Sequence, residues 1–168
     1  MEIPMKSNRP WESWEFRWFG VFRRNTPFEA KRFPAVPPVT SFIDPMWSYP
    51  YRDRLLHYLS NAAIGAKVWR LVEAPCLVCG CSLDATIFRW DGIWFWPDSL
   101  SHYVATHDVR LPDEMVASIE ARSFEPPVAV DPPPLDTLPW PPALWPASRT
   151  RSKLLQKIQE FFSFAAPV

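Results

Sequence analysis

The chain has 168 residues, with 18 basic and 18 acidic side chains and a formal net charge of zero. That length suits one domain, or one domain with extensions, and the neutral balance supplies no global field for nucleic acid or an acidic membrane. Hydrophobic residues make up 48%, enough for a core, but 21 prolines against 4 glycines force long stretches to run extended, because proline removes a backbone donor and breaks helices and central strands.

Residues 1–10 read as a loose leader without the apolar stretch of a signal peptide. No run approaches the ~18 apolar residues of a membrane span. Residues 11–22 are dense in aromatics, and Trp14, Phe16 and Trp18 alternate with Glu15 and Arg17. That is the period-2 pattern of a half-buried strand. Five prolines within residues 23–47 predict an irregular, extended connection. A helix is expected over 50–63, with Pro50 in its first turn and Leu55, Leu56 and Leu59 as its apolar stripe.

A strand is expected next over 67–73, carrying Val68, Trp69, Leu71 and Val72. Residues 83–90 and 93–96 flank Asp91-Gly92, a strong signal for a two-residue hairpin turn. Trp69, Trp90 and Trp94 sit at strand-like positions that suggest core. Pro97 is expected to open a helix, with Asp98 adding negative charge to its first turn. A second helix is expected from residue 111, with Met115, Val116 and Ile119 on one face.

Beyond residue 123 the composition changes. Residues 123–148, with Pro132-Pro133-Pro134 and Pro139-Trp140-Pro141-Pro142, predict a polyproline II-like strap. Residues 149–168 predict a short amphipathic helix with Leu154, Leu155, Ile158, Phe161 and Phe162 on one face. The expected architecture is therefore an α+β domain over 11–122, followed by the strap and the terminal helix. Trp140 and Trp145 lie among prolines, where no regular element buries them, so they read as anchors on the domain or on a partner. Leu155, Phe161 and Phe162 offer a second partner-binding surface.

The three cysteines of the chain fall within one knuckle, Cys76-Leu77-Val78-Cys79-Gly80-Cys81, and two of its three histidines fall in His102-Tyr103-Val104-Ala105-Thr106-His107. Two thiols and two imidazoles at such spacings make a four-ligand set for Zn²⁺. Cys76, Cys79, His102 and His107 are the expected ligands, and Cys81 is the alternative ligand or a small buried thiol. His102 and His107 are five positions apart, about 140° around a helix, so the second must sit where the helix ends or tightens. The 22 residues between Cys79 and His102 exceed the gap of an ordinary two-Cys two-His finger, and the Asp91-Gly92 hairpin fills them. A secreted disulfide framework would space its cysteines apart; crowded thiols suit a reduced, cytoplasmic protein.

The order knuckle, hairpin, helix over about residues 74–110 resembles treble-clef-like or two-Cys two-His zinc modules. The longer string from Trp96-Pro97 through His102, His107 and Leu111-Pro112-Asp113-Glu114 also resembles a group of small uncharacterised bacterial proteins, over roughly residues 11–120. That second likeness carries no activity and implies no catalytic residues.

Catalytic alternatives are weaker. Pro75-Cys76-x2-Cys79 matches half of the nucleobase-deaminase signature, but the upstream His-x-Glu is missing, since His57 is followed by Tyr58 and Leu59. There is no His-Glu-x2-His motif, no Gly-x-Ser-x-Gly elbow and no Gly-rich phosphate loop. Four protein ligands imply a closed, structural Zn²⁺ site. The leading expectation is a non-enzymatic, zinc-stabilised adaptor or accessory protein that binds another protein. The alternatives are a zinc-dependent hydrolase or nuclease using Asp108 or Glu114 beside an open metal position, and a nucleic-acid-binding finger. The helix offers no arginine or lysine before Arg110 for base edges, which counts against the finger. The basic residues Arg23, Arg24, Lys31 and Arg32 read as a solvated loop. Arg149, Arg151, Lys153 and Lys157 beside the terminal apolar face suit docking better than membrane contact.

Overall fold

The computed structural model of the chain describes residues 17–34, 36–67, 73–128 and 130. Within them the fold is α+β: a four-stranded sheet, a two-stranded ribbon and four α-helices. The strands are β1 (Arg17–Trp18), β2 (Ala63–Lys67), β3 (Glu73–Pro75), β4 (Ser82–Asp84), β5 (Ile87–Trp90) and β6 (Trp94–Pro97). The helices are α1 (Pro27–Arg32), α2 (Arg52–Asn61), α3 (Leu100–His107) and α4 (Asp113–Glu120). The larger sheet has the order β1-β6-β5-β2, with β1 parallel to β6 and the other pairs antiparallel. β3 and β4 form the separate ribbon.

β6 is buried along its whole length because both faces of the sheet are covered there. Alternate side chains of a strand point to opposite faces. Trp94 and Trp96 join the cluster that holds Leu55, Tyr58 and Leu59 of α2, Leu100 and Val104 of α3, and Met115 and Ile119 of α4. The Trp96 indole donates to the Leu59 carbonyl at 3.0 Å, and its ring stacks on Tyr58. Phe95 meets Trp18, Phe88 and Trp90 through ring contacts of 4.5–5.9 Å. Gly65 lies opposite this second group, at a bulge in β2. A Cβ there would sit 2.6 Å from Trp90 Cβ and 2.7 Å from the Phe95 ring, so only glycine admits this approach.

The chain departs from the sequence expectation at several points. Residues 23–47 are not wholly irregular: they form α1 and a 3-10 turn at Val39–Ser41. The cause is local. Thr26 caps α1 by accepting the Glu29 N–H at 3.2 Å, Pro27 occupies its first turn, and the Glu29 carboxylate accepts the Arg24 N–H. A threonine three residues before a glutamate is a helix-start signal, and here the glutamate reaches past the N-cap to the Arg24 N–H. Arg23 also binds inward, to the Val36 and Arg24 carbonyls, rather than standing as a solvated charge.

α2 begins two residues after Pro50, with Tyr51 at its N-cap. Of the strand expected over 67–73 only the two ends are described: Lys67 is the last residue of β2, which starts at Ala63, and Glu73 is the first of β3. Val68, Trp69, Leu71 and Val72 lie outside the described residues. The run 83–90 breaks where Asp84 accepts the N–H and hydroxyl of Thr86, separating β4 from β5.

The hairpin is present, but its turn is shifted by one residue from Asp91-Gly92: Trp90 pairs with Phe95, and the Asp91 N–H donates to the Trp94 carbonyl at 3.3 Å. Asp91 is fully buried and organises that loop: one carboxylate oxygen accepts the Ile93 and Trp94 N–H groups, and the other accepts the Tyr58 hydroxyl at 2.9 Å. Arg122 donates to the Asp91 carbonyl, which ties the hairpin to the end of α4. Pro97 closes β6 rather than opening a helix, and Asp98 forms a 2.6 Å ion pair with Arg89. α3 begins at Leu100 with no acidic residue in its first turn. The strap over 123–148 is described only in part, to residue 130, and the terminal helix over 149–168, with Trp140, Trp145, Leu155, Phe161 and Phe162, lies outside the described residues.

Candidate metal centre

The ribbon β3–β4 and the helix α3 meet at one corner of the fold, and there the cysteines and two histidines converge. The six residues between β3 and β4 turn tightly: the Cys76 N–H donates to the Cys81 carbonyl at 2.7 Å, and the Gly80 N–H to the Cys76 carbonyl at 3.0 Å. Gly80 takes a φ of +75°, a left-handed conformation that costs other residues energy. The Val78 N–H lies 3.4 Å from the Cys76 sulfur. The turn therefore points its thiols back at the helix while satisfying its own backbone.

α3 presents the histidines because its other face is committed to the core: Leu100, Tyr103 and Val104 are buried. The Tyr103 hydroxyl accepts the Leu77 N–H at 2.9 Å, a direct clamp between helix and knuckle, and burial pushes the Tyr103 pKa up. Sequence reasoning missed this residue. The available signal was a tyrosine beside a candidate ligand, one helical step from the apolar stripe. His107 is the last residue of α3, and Asp108 after it is left-handed with φ 50°. The helix thus ends where the histidine spacing requires. Arg52 secures that end by donating to the Val104 carbonyl and pairing with the Asp108 carboxylate at 2.8 Å. The Asp108 carboxylate is thereby engaged, which weakens its case as a general base.

One ligand atom from each of Cys76, Cys79, His102 and His107 lies within 4.8 Å of all the others, a group able to hold a metal ion. The Cys76 sulfur is 3.3 Å from His107 Nε2, and the Cys79 sulfur is 3.6 Å from His102 Nε2. Cys76 is buried and Cys79 exposed, with the histidines between these extremes. Behind His102, the Thr106 hydroxyl lies 3.5 Å from Nδ1, where it can orient the ring. Cys81 stands beside this group, exposed, with its sulfur 3.2 Å from that of Cys79 and 3.6 Å from His102 Nε2. It is not a buried thiol. The Cys81 backbone N–H, and then the contact with the Cys81 sulfur, hold the Cys79 pKa down to about 5. The same thiol contact raises Cys81 to about 11.

Comparison with known proteins returned no matching family model, no similar curated protein and no similar solved structure. None of these comparisons supports the likeness to treble-clef-like or two-Cys two-His modules or to small bacterial proteins; the structure itself brings Cys76, Cys79, His102 and His107 within reach of one metal ion. Among the described residues, no helix is long and apolar enough to cross a membrane.

Proposed function

We propose that the corner binds one Zn²⁺ through Cys76, Cys79, His102 and His107, and that the ion has a structural role in a non-enzymatic accessory protein that acts by binding another protein. The observation that carries the metal reading is the pairing of donor atoms. In a tetrahedron with Zn–S of about 2.3 Å and Zn–N of about 2.05 Å, a sulfur and a nitrogen are roughly 3.6 Å apart. Cys79–His102 matches that edge at 3.6 Å, and Cys76–His107 falls slightly below it at 3.3 Å. Two soft thiolates with two imidazoles favour zinc over calcium, magnesium or manganese, which take oxygen ligands.

A structural role follows from where the ligands sit. Two come from a short ribbon turn and two from a helix, so the ion would join two elements that lie apart in the chain. Four protein donors leave no position for a substrate, and the Asp108 carboxylate is held by Arg52. The protein-binding role rests on the sequence: the proline-rich segment with Trp140 and Trp145, and the apolar stripe with Leu155, Phe161 and Phe162, are contact surfaces without an assembled catalytic set.

Elemental mass spectrometry on protein purified without added metal, together with X-ray absorption at the zinc edge, tests the metal reading. One zinc per chain with two sulfur and two nitrogen neighbours is the expected result. An oxygen neighbour would argue for an open, catalytic site, and the absence of any metal would remove the proposal. Co-purification of the full chain and of a chain ending at residue 130 tests the second part: a partner retained equally by both would refute binding through the proline-rich and terminal segments.

A further inference from the structure

We propose that Cys79 and Cys81 form an oxidation site, at which a peroxide converts the two thiols into a disulfide and so removes one sulfur from the metal group. The inference rests on the metal reading above for its consequence, but not for its chemistry. Three observations carry it. The two sulfurs are 3.2 Å apart, and a disulfide needs about 2.05 Å, a closure within reach of side-chain rotation. Both cysteines are exposed, whereas Cys76 is buried and its sulfur faces His107. Gly80, the single residue between them, has nothing within 4 Å of where a Cβ would stand, so the turn has room to tighten.

The arrangement also explains why a fifth donor lies against a four-donor group. Cys81 adds nothing to a filled tetrahedron, but it supplies the second thiol that a reversible oxidation requires. The Cys79 thiolate attacks one peroxide oxygen; the O–O bond breaks, hydroxide leaves, and Cys79 becomes a sulfenic acid. The Cys81 sulfur then attacks the Cys79 sulfur, the S–O bond breaks, a second hydroxide leaves, and the S–S bond forms. With hydrogen peroxide, the two thiols lose two protons and two electrons, and the protons convert both hydroxides to water. The Cys79 sulfur can no longer serve as a thiolate ligand, leaving Cys76, His102 and His107. A disulfide spanning one residue is exposed and strained, which makes it readily reducible by thiols. The site would therefore reset.

The test uses the full chain loaded with zinc and titrated with hydrogen peroxide. Zinc release is followed with a chromophoric chelator, and the thiols are mapped by peptide mass spectrometry. The expected result is loss of zinc in step with a Cys79–Cys81 disulfide, and full recovery of zinc binding after dithiothreitol. In Cys81→Ser the disulfide is lost, Cys79 is trapped by a sulfenic-acid reagent and then over-oxidised, and dithiothreitol no longer restores zinc binding. A disulfide to Cys76, no disulfide in the wild-type chain, or full recovery by Cys81→Ser would overturn the proposal. The wild-type mapping decides the matter even where the variant folds poorly. A chain that holds no zinc yet still forms the Cys79–Cys81 disulfide would refute the metal reading and leave the oxidation site standing.

Discussion

The aromatic sheet and the cysteine–histidine corner lie in one fold but owe their order to different forces. In the sheet, Trp94, Phe95 and Trp96 have no exposed surface, and their neighbours Trp18, Phe88 and Tyr58 are equally enclosed. Burial of such side chains is worth about 1.5–3 kcal/mol each and needs no particular partner atom. At the corner, Cys79 and Cys81 are exposed, Leu77 and Leu83 are only partly buried, and the contacts are directional ones between sulfur, imidazole and hydroxyl. Directional contacts hold only when every partner is in place. The sheet should therefore survive conditions that undo the corner, and the corner should respond to metal, acid and oxidant while the sheet does not.

The largest effect that would separate the two is expected in the sheet. Trp96→Ala removes a fully buried indole and its bond to Leu59, which should cost about 3–5 kcal/mol. Added zinc should not restore the lost part, because the cavity lies in the sheet; thermal melts with and without metal read this directly. Chelation comes next. At free zinc a hundredfold above Kd, the bound ion contributes about 2.7 kcal/mol, and a chelator should lower the Tm of the wild-type chain but not that of His107→Ala. An identical chelator response in both would show that the imidazole is no ligand. Acidification acts in the same direction, since protons compete for thiolates and imidazoles; zinc release should increase as pH falls, with tryptophan fluorescence of the sheet unchanged at the onset.

A smaller effect is expected from Tyr103→Phe, which leaves the Leu77 N–H without its acceptor and should cost roughly 1–3 kcal/mol. Hydrogen exchange should show it in the knuckle turn while β5 and β6 remain protected. The smallest is Thr26→Ala, which removes the cap of α1 and should cost about 1 kcal/mol. Neither the chelator response nor exchange at the corner should change, and a change in either would mean that α1 and the knuckle are coupled.

Elements with strong local signals were readable in advance. The Asp91-Gly92 turn, the Leu55–Leu59 stripe and the Met115–Ile119 face each state their structure within a few residues. The convergence of Cys76, Cys79, His102 and His107 was readable because metal chemistry restricts residue type and spacing more tightly than packing does. β2 was not: Ala63-Ile64-Gly65-Ala66 has no hydrophobic alternation, and it forms a strand because Gly65 lets Trp90 and Phe95 approach. Nor was the role of Asp91, which the sequence presents as a turn residue. Its burial and its bonds to Tyr58 and Arg122 arise only when α2 and α4 close over the hairpin.

By itself, then, the sequence determined an α+β chain whose thiols and imidazoles could come together, because residue identity and short spacings carry that information. Only the tertiary structure decided that Cys81 lies outside the four-donor group and against Cys79, that Asp108 is held by Arg52, and that Tyr103 clamps the knuckle. Each of these contacts joins residues set by different elements or by the exact turn of the backbone, and such distances follow from packing rather than from order along the chain.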